Sequence, residues 1–184
     1  MMHGAPVAAS IQALMAQLAV FDALLLAAAA VHKALRWRES QRVVLQFAGV
    51  PASFAAAALG SAIGAELLAG ALLLVPAQRA TGAAAAAVIW SCYLGLIVRA
   101  ILQNRRDVDC GCSFGPTARP LGAFQVARNA LLAGAAVLIA WVSATGGGVA
   151  SQGSQWLGGF ALLALYGALD QVMALRPLRG GEVL

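Results

Sequence analysis

The sequence predicts an all-α integral membrane protein, a bundle of about five transmembrane helices built as a four-helix core plus one. Three observations carry that prediction. Apolar residues make up 61% of the 184-residue chain and charged residues only 10%, against about a quarter charged in a soluble domain. Five stretches are mostly apolar over about 20 residues, the length that crosses a bilayer's hydrocarbon core. The basic residues punctuate those stretches instead of lining up as a stripe, so a pI near 9.9 does not signal nucleic-acid binding. Residues 1–184 read as a single membrane domain.

The first span is expected at 14–35. Met1 to Ser10 contain no Lys or Arg, and the apolar run from Ile11 to Val31 exceeds the roughly 7–15 residues of a signal-peptide core, so it reads as a retained helix. After it come Arg36, Trp37, Arg38 and Arg42 with the apolar Val43, Val44, Leu45 and Phe47. That mixture fits an interfacial segment or an ordinary solvated loop. The second span, 54–75, and the third, 81–102, flank a short turn at Pro76-Ala77-Gln78-Arg79, which favours antiparallel neighbours. Gly60 and Gly64 have a spacing that permits close helix approach. A polar Cys-Gly-Cys loop occupies 103–123, the fourth span 124–144, a Gly146-Gly147-Gly148 loop follows, and the fifth span is 156–175.

Basic residues orient the bundle. With five spans, one face collects Lys33, Arg36, Arg38, Arg42, Arg99, Arg105, Arg106, Arg119, Arg128, Arg176 and Arg179, and the other has Arg79 alone, which accounts for all 12 Lys and Arg. The positive-inside rule then puts the N-terminus outside and the Cys110/Cys112 loop on the cytoplasmic face of a cell inner membrane.

Ionisable residues in hydrocarbon usually face the bundle interior with a partner. Asp22, Glu66 and Asp170 interrupt the first, second and fifth spans. Arg99 and Arg128, near span ends, are expected to snorkel to the interface. Glu66, mid-span, reads either as a neutral acid hydrogen-bonding another helix or as a group for proton transfer or quinone contact. His32 reads as interfacial, and no second His or Cys accompanies it as a metal ligand would require. Cys92 reads as a small apolar residue.

Cys110 and Cys112 differ in kind. They lie in Arg105-Arg106-Asp107-Val108-Asp109-Cys110-Gly111-Cys112-Ser113-Phe114-Gly115-Pro116. Two cysteines one residue apart can bridge only across a sharp bend, which Gly111 permits. A disulfide over so few atoms is expected to be strained, and strained disulfides tend to be catalytic or regulatory. Arg105 and Arg106 favour a thiolate, whereas Asp107 and Asp109 oppose it. Three chemistries fit the pair. They are thiol–disulfide exchange with a partner protein, a metal site for which further ligands are missing, and an inert structural loop.

Several features in order resemble a known family. Val31-His32-Lys33-Ala34-Leu35 ends the first span, and Ala65-Glu66-Leu67-Leu68-Ala69-Gly70 lies in the second. Asp107-Val108-Asp109-Cys110-Gly111-Cys112 follows with Phe114-Gly115-Pro116, and Arg128-Asn129 opens the fourth span. From about Phe21 to Ala144 the chain resembles MauE, the methylamine-utilisation family, within the wider MauE/DoxX-like group of redox-associated membrane proteins. The family loop commonly runs Cys-x-Cys-Phe-Gly; here Ser113 intervenes before Phe114. The resemblance implies a small polytopic protein that helps mature a disulfide-rich periplasmic subunit of methylamine dehydrogenase. It also implies a thioredoxin-like, MauD-like partner and a redox role for Cys110 and Cys112. Arg105, Arg106, Asp109, Glu66 and Arg128 are then candidate supporting residues.

Three functional classes follow. The first is a membrane thiol–disulfide partner of a client disulfide protein. The second is a quinone-linked subunit, as DoxX-like kinship allows, with Glu66, Asp22 or Arg128 lining a midplane pocket. The third is a non-enzymatic assembly scaffold, which the short loops favour. Transport is weaker, because no internal repeat is visible. Disulfide formation belongs in the periplasm, while the charge bias holds the cysteine loop in the cytoplasm.

Overall fold

A computed structural model describes residues 4–49, 51–104, 122–145 and 152–175. Six helices account for nearly all of them: α1 (Gly4–Leu35), α2 (Trp37–Ala48), α3 (Ala55–Leu74), α4 (Arg79–Leu102), α5 (Ala123–Ala144) and α6 (Gln152–Leu175). Among the described residues, four stretches are long and apolar enough to cross a membrane: Ala9–Leu35, Ala52–Leu74, Pro76–Leu102 and Ala123–Ala144. The fifth sequence-predicted stretch, 156–175, falls within α6. The chain is an all-α membrane protein.

Local chemistry explains where helices stop. α2 ends at Gly49, whose φ of 65° is the left-handed conformation that glycine adopts without steric penalty. The residue before a proline is pushed to extended backbone. Val75, preceding Pro76, accordingly has φ −90° and ψ 111° and ends α3. One short 3-10 turn, Pro76–Gln78, then reverses the chain into α4. At the start of α5 the Gly122 N–H donates to Gln125 Oε1 at 3.0 Å. Glycine has no side chain to reciprocate, so this is one half of a capping box. Asn104, φ 55°, closes the turn after α4.

α1, α3, α4 and α5 form a closed ring of packed neighbours; α6 packs on the outer flank of α1 and α2 on the start of α3. The core consists of small and medium side chains, among them Ala19, Ala23, Leu26, Leu73, Ala86 and Ile139. Large apolar side chains also cover the outside, including Leu131, Val137, Leu157 and Leu165. Helices apolar on every side belong in lipid. Exposed Trp37 and Phe54 mark one end, and exposed Trp141 and Trp156 the other, as aromatic residues do at the two bilayer boundaries. The 20 residues of α3 between those ends rise about 30 Å, the thickness of a hydrocarbon core.

The close helix approaches do not use Gly60 and Gly64, whose spacing only permits them. No atom of a neighbouring element lies within 4 Å of where a Gly64 Cβ would be, and at Gly60 only the Trp37 ring comes that near. A Cβ at Gly70 would instead sit 3.2 Å from the Ala23 carbonyl oxygen, one at Gly82 2.5 Å from the Leu73 nitrogen, and one at Gly159 2.5 Å from Val20. These three positions set the α1–α3, α3–α4 and α1–α6 distances.

Candidate functional site

The interior of this bundle contains charge. Lys33, near the end of α1, and Glu66, midway along α3, form an ion pair with Nζ 2.5 Å from Oε1. Their meeting follows from helix geometry. Ala23 of α1 lies beside Gly70 of α3, and Lys33 reaches Glu66, so the two helices run antiparallel. Side chains lean toward the N-terminus of their own helix. The Lys33 stem therefore leans into the bundle, Glu66 leans toward the end where Lys33 sits, and the charges converge. Tyr93 on α4 completes the group by donating its hydroxyl to the same Glu66 Oε1, at 2.5 Å. The ammonium also lies 4.9 Å from the Tyr93 ring centroid, within cation–π range. The Glu66 side chain is fully buried and that of Lys33 is 10% exposed. A carboxylate so placed is tolerable only because it is paired and hydrogen-bonded. Its second oxygen, Oε2, has no hydrogen-bond partner among the described residues.

About one turn farther in, the Trp90 indole N–H donates to Asp22 Oδ1 at 2.8 Å. This ties α4 to α1 and leaves Asp22 Oδ2 without a partner among the described residues. Toward the other end of the polar region lies the first half of α5, where Gln125, Arg128 and Asn129 are all buried. Arg128 pairs with Asp170 of α6, Nη1 to Oδ1 3.5 Å, and its guanidinium carbon is 6.0 Å from the Tyr166 ring centroid. Asn129 donates Nδ2–H to the Gln125 carbonyl at 2.9 Å. Farther along α5 the inward positions become Leu132, Ala136 and Ile139. A separate, half-buried contact lies at the opposite end, where Arg79 Nη2 approaches Gln155 Oε1 at 3.5 Å.

The structure brings only part of the sequence-predicted site together. Glu66 is central. Arg128 is near it in character but differs from expectation: it is buried and paired with Asp170 instead of reaching the interface. Its place on the inward stripe of α5, facing an acid on α6, outweighs its nearness to a helix end. Arg99 is exposed, and Cys92 is an exposed free thiol on α4. Cys110, Cys112, Arg105, Arg106 and Asp109 lie outside the described residues. Their flanks, Asn104 and Gly122, end the tightly packed pair α4 and α5 at the end of the bundle that also carries Lys33 and α2.

Sequence reasoning missed Lys33, Tyr93 and Trp90. Lys33 read as one more flanking charge, yet a mid-span Glu66 demands a cation or donor, and Lys33 is a basic group one side-chain length inside the end of the neighbouring span. Tyr93 and Trp90 gave a weaker signal: each is an aromatic donor within an apolar helix, a residue type that finds an acceptor when buried.

A family model described as methylamine utilisation protein MauE matches residues 11–142. No curated protein matches the chain, and no solved structure does.

Proposed function

The chain belongs to the MauE family, and from that membership we propose that it acts as a membrane thiol–disulfide partner in maturing a disulfide-rich periplasmic protein. Membership supports a MauE-like role in methylamine utilisation, with the methylamine dehydrogenase small subunit as client and a MauD-like thioredoxin-fold protein as redox partner. The observation that carries the reading is the Cys110-Gly111-Cys112 sequence inside the matched region. Two thiols one residue apart can cycle with a disulfide, releasing or taking up two electrons and two protons. Arg105 and Arg106 would favour the attacking thiolate, with Asp107 and Asp109 opposing.

The charge bias argues for a cytoplasmic loop, and the maturation reading for periplasmic contact. A membrane-impermeant maleimide on spheroplasts, in a Cys92→Ser background with and without prior reduction, separates them. Labelling of Cys110 and Cys112 from outside only after reduction supports an oxidised periplasmic pair. Labelling only once the membrane is opened removes direct oxidation of a periplasmic client.

A second reading is favoured by the buried carboxylates: a quinone-linked subunit, in which the dithiol passes its two electrons and two protons to a quinone. It requires a quinone-dependent change in thiol redox state that Glu66→Gln removes. Purified protein that binds no quinone ends it.

A further inference from the structure

Asn129 Oδ1, Glu66 Oε2 and Asp22 Oδ2, on the α5, α3 and α1 helices of the ring, are buried side-chain acceptors without a hydrogen-bond partner among the described residues. Their positions form a series. Measured from Asn104 and Gly122 at a rise of about 1.5 Å per residue, Asn129 lies about 10 Å deep, Glu66 (level with Tyr93) about 16 Å, and Asp22 (level with Trp90) about 21 Å. Three orphaned acceptors at three successive depths need a common explanation, since each costs free energy when buried without a donor. Beyond Asp22 the interior changes character. Ala83, Ala86, Leu73 and Ile139, all fully buried, separate it from the Arg79 end.

We propose that the bundle contains a one-sided aqueous inlet. Ordered water enters at the end bearing Asn104 and Gly122, hydrogen-bonds Asn129 and Glu66 in turn, and stops at Asp22 against the apolar layer. Water is the ligand whose chemistry fits: it donates to each orphaned acceptor and is small enough to sit between side chains of a packed interior. The inlet gives protons a route between the loop end and the middle of the membrane without opening a path across it. This does not depend on the thiol reading, and its test uses no activity.

Hydroxyl-radical footprinting of the full chain in lipid nanodiscs, read by mass spectrometry, tests it, because internal water generates radicals beside buried side chains. Trp90 is only 3% exposed, so without internal water it should stay unmodified at doses that oxidise exposed Trp37 and Trp141. The inlet predicts oxidation of Trp90 and Tyr93 to an extent comparable with those exposed residues. In Asn129→Leu, which places an apolar group of similar size near the mouth, oxidation of Trp90 falls several-fold while that of Trp37 is unchanged. An unmodified Trp90 in the unaltered protein overturns the proposal. Oxidation of Trp90 that Asn129→Leu leaves unchanged overturns the assigned direction of entry.

Discussion

Replacing Lys33 with Met retains most of the side-chain volume and removes the cation from Glu66. The attraction between the two contacting charges is offset in large part by the desolvation of both ions. Truncating one member of such a pair leaves the other charge buried and uncompensated, at about 3–5 kcal/mol. The two single variants should differ. Glu66 is fully buried midway along α3 and cannot move its charge to the interface, whereas Lys33 retains 10% exposure near a helix end and can snorkel outward once released. Lys33→Met should therefore cost more than Glu66→Gln. The double variant should recover toward Glu66→Gln, because Gln keeps an oxygen for the Tyr93 hydroxyl and no charge is left unpaired. Intrinsic-fluorescence melting of the purified protein in detergent reads this out. With about 2–4 °C per kcal/mol for a chain of this length, Lys33→Met should lower Tm by on the order of 10 °C. A Tm unchanged in Lys33→Met, or a double variant whose loss is the plain sum of the singles, would refute the idea that this pair holds α1 to α3.

Other expectations follow from the same geometry. Trp90→Phe keeps the ring packing but removes the donor to Asp22, and should cost about 1–3 kcal/mol; Trp90→Phe combined with Asp22→Leu should cost less, as measured by the same melts. Gly82→Ala drives a Cβ against the α3 backbone at Leu72 and Leu73 and should destabilise by about 1–3 kcal/mol. Gly64→Ala meets nothing and should be neutral or up to about 1 kcal/mol stabilising through helix propensity. Cys110→Ser and Cys112→Ser should each abolish maturation of the client, with one of them trapping a mixed disulfide visible on non-reducing gels. Activity retained in both singles argues for a scaffold.

The polar interior shows where sequence reading succeeds and where it stops. Glu66 stood out because a carboxylate in the middle of an apolar run is expensive wherever that run ends up. Its partners did not stand out. Lys33 is 33 positions away and Tyr93 27, and nothing in a linear chain says which helix faces bring them within reach. Arg128 shows the converse: its distance from the helix end suggested an interfacial side chain, but its face on α5 and an acid on α6 gave it a buried partner. The glycines are alike. A four-residue spacing at Gly60 and Gly64 marks a smooth surface, yet only packing decides which smooth surface is covered, and Gly70, Gly82, Gly158 and Gly159 are the ones held tight against neighbours.

Composition and hydropathy by themselves determined that this is a helical membrane protein, because a bilayer admits only segments that satisfy their own backbone hydrogen bonds and are apolar along their length. The Pro76 turn was equally local, a consequence of the conformations that proline and its neighbour can adopt. What only the tertiary structure decided is which charges meet. In an Ala-rich bundle, the rotation of each helix about its axis is set by contacts between small residues on different segments. That rotation turned an ordinary flanking lysine into the counter-ion of the buried glutamate.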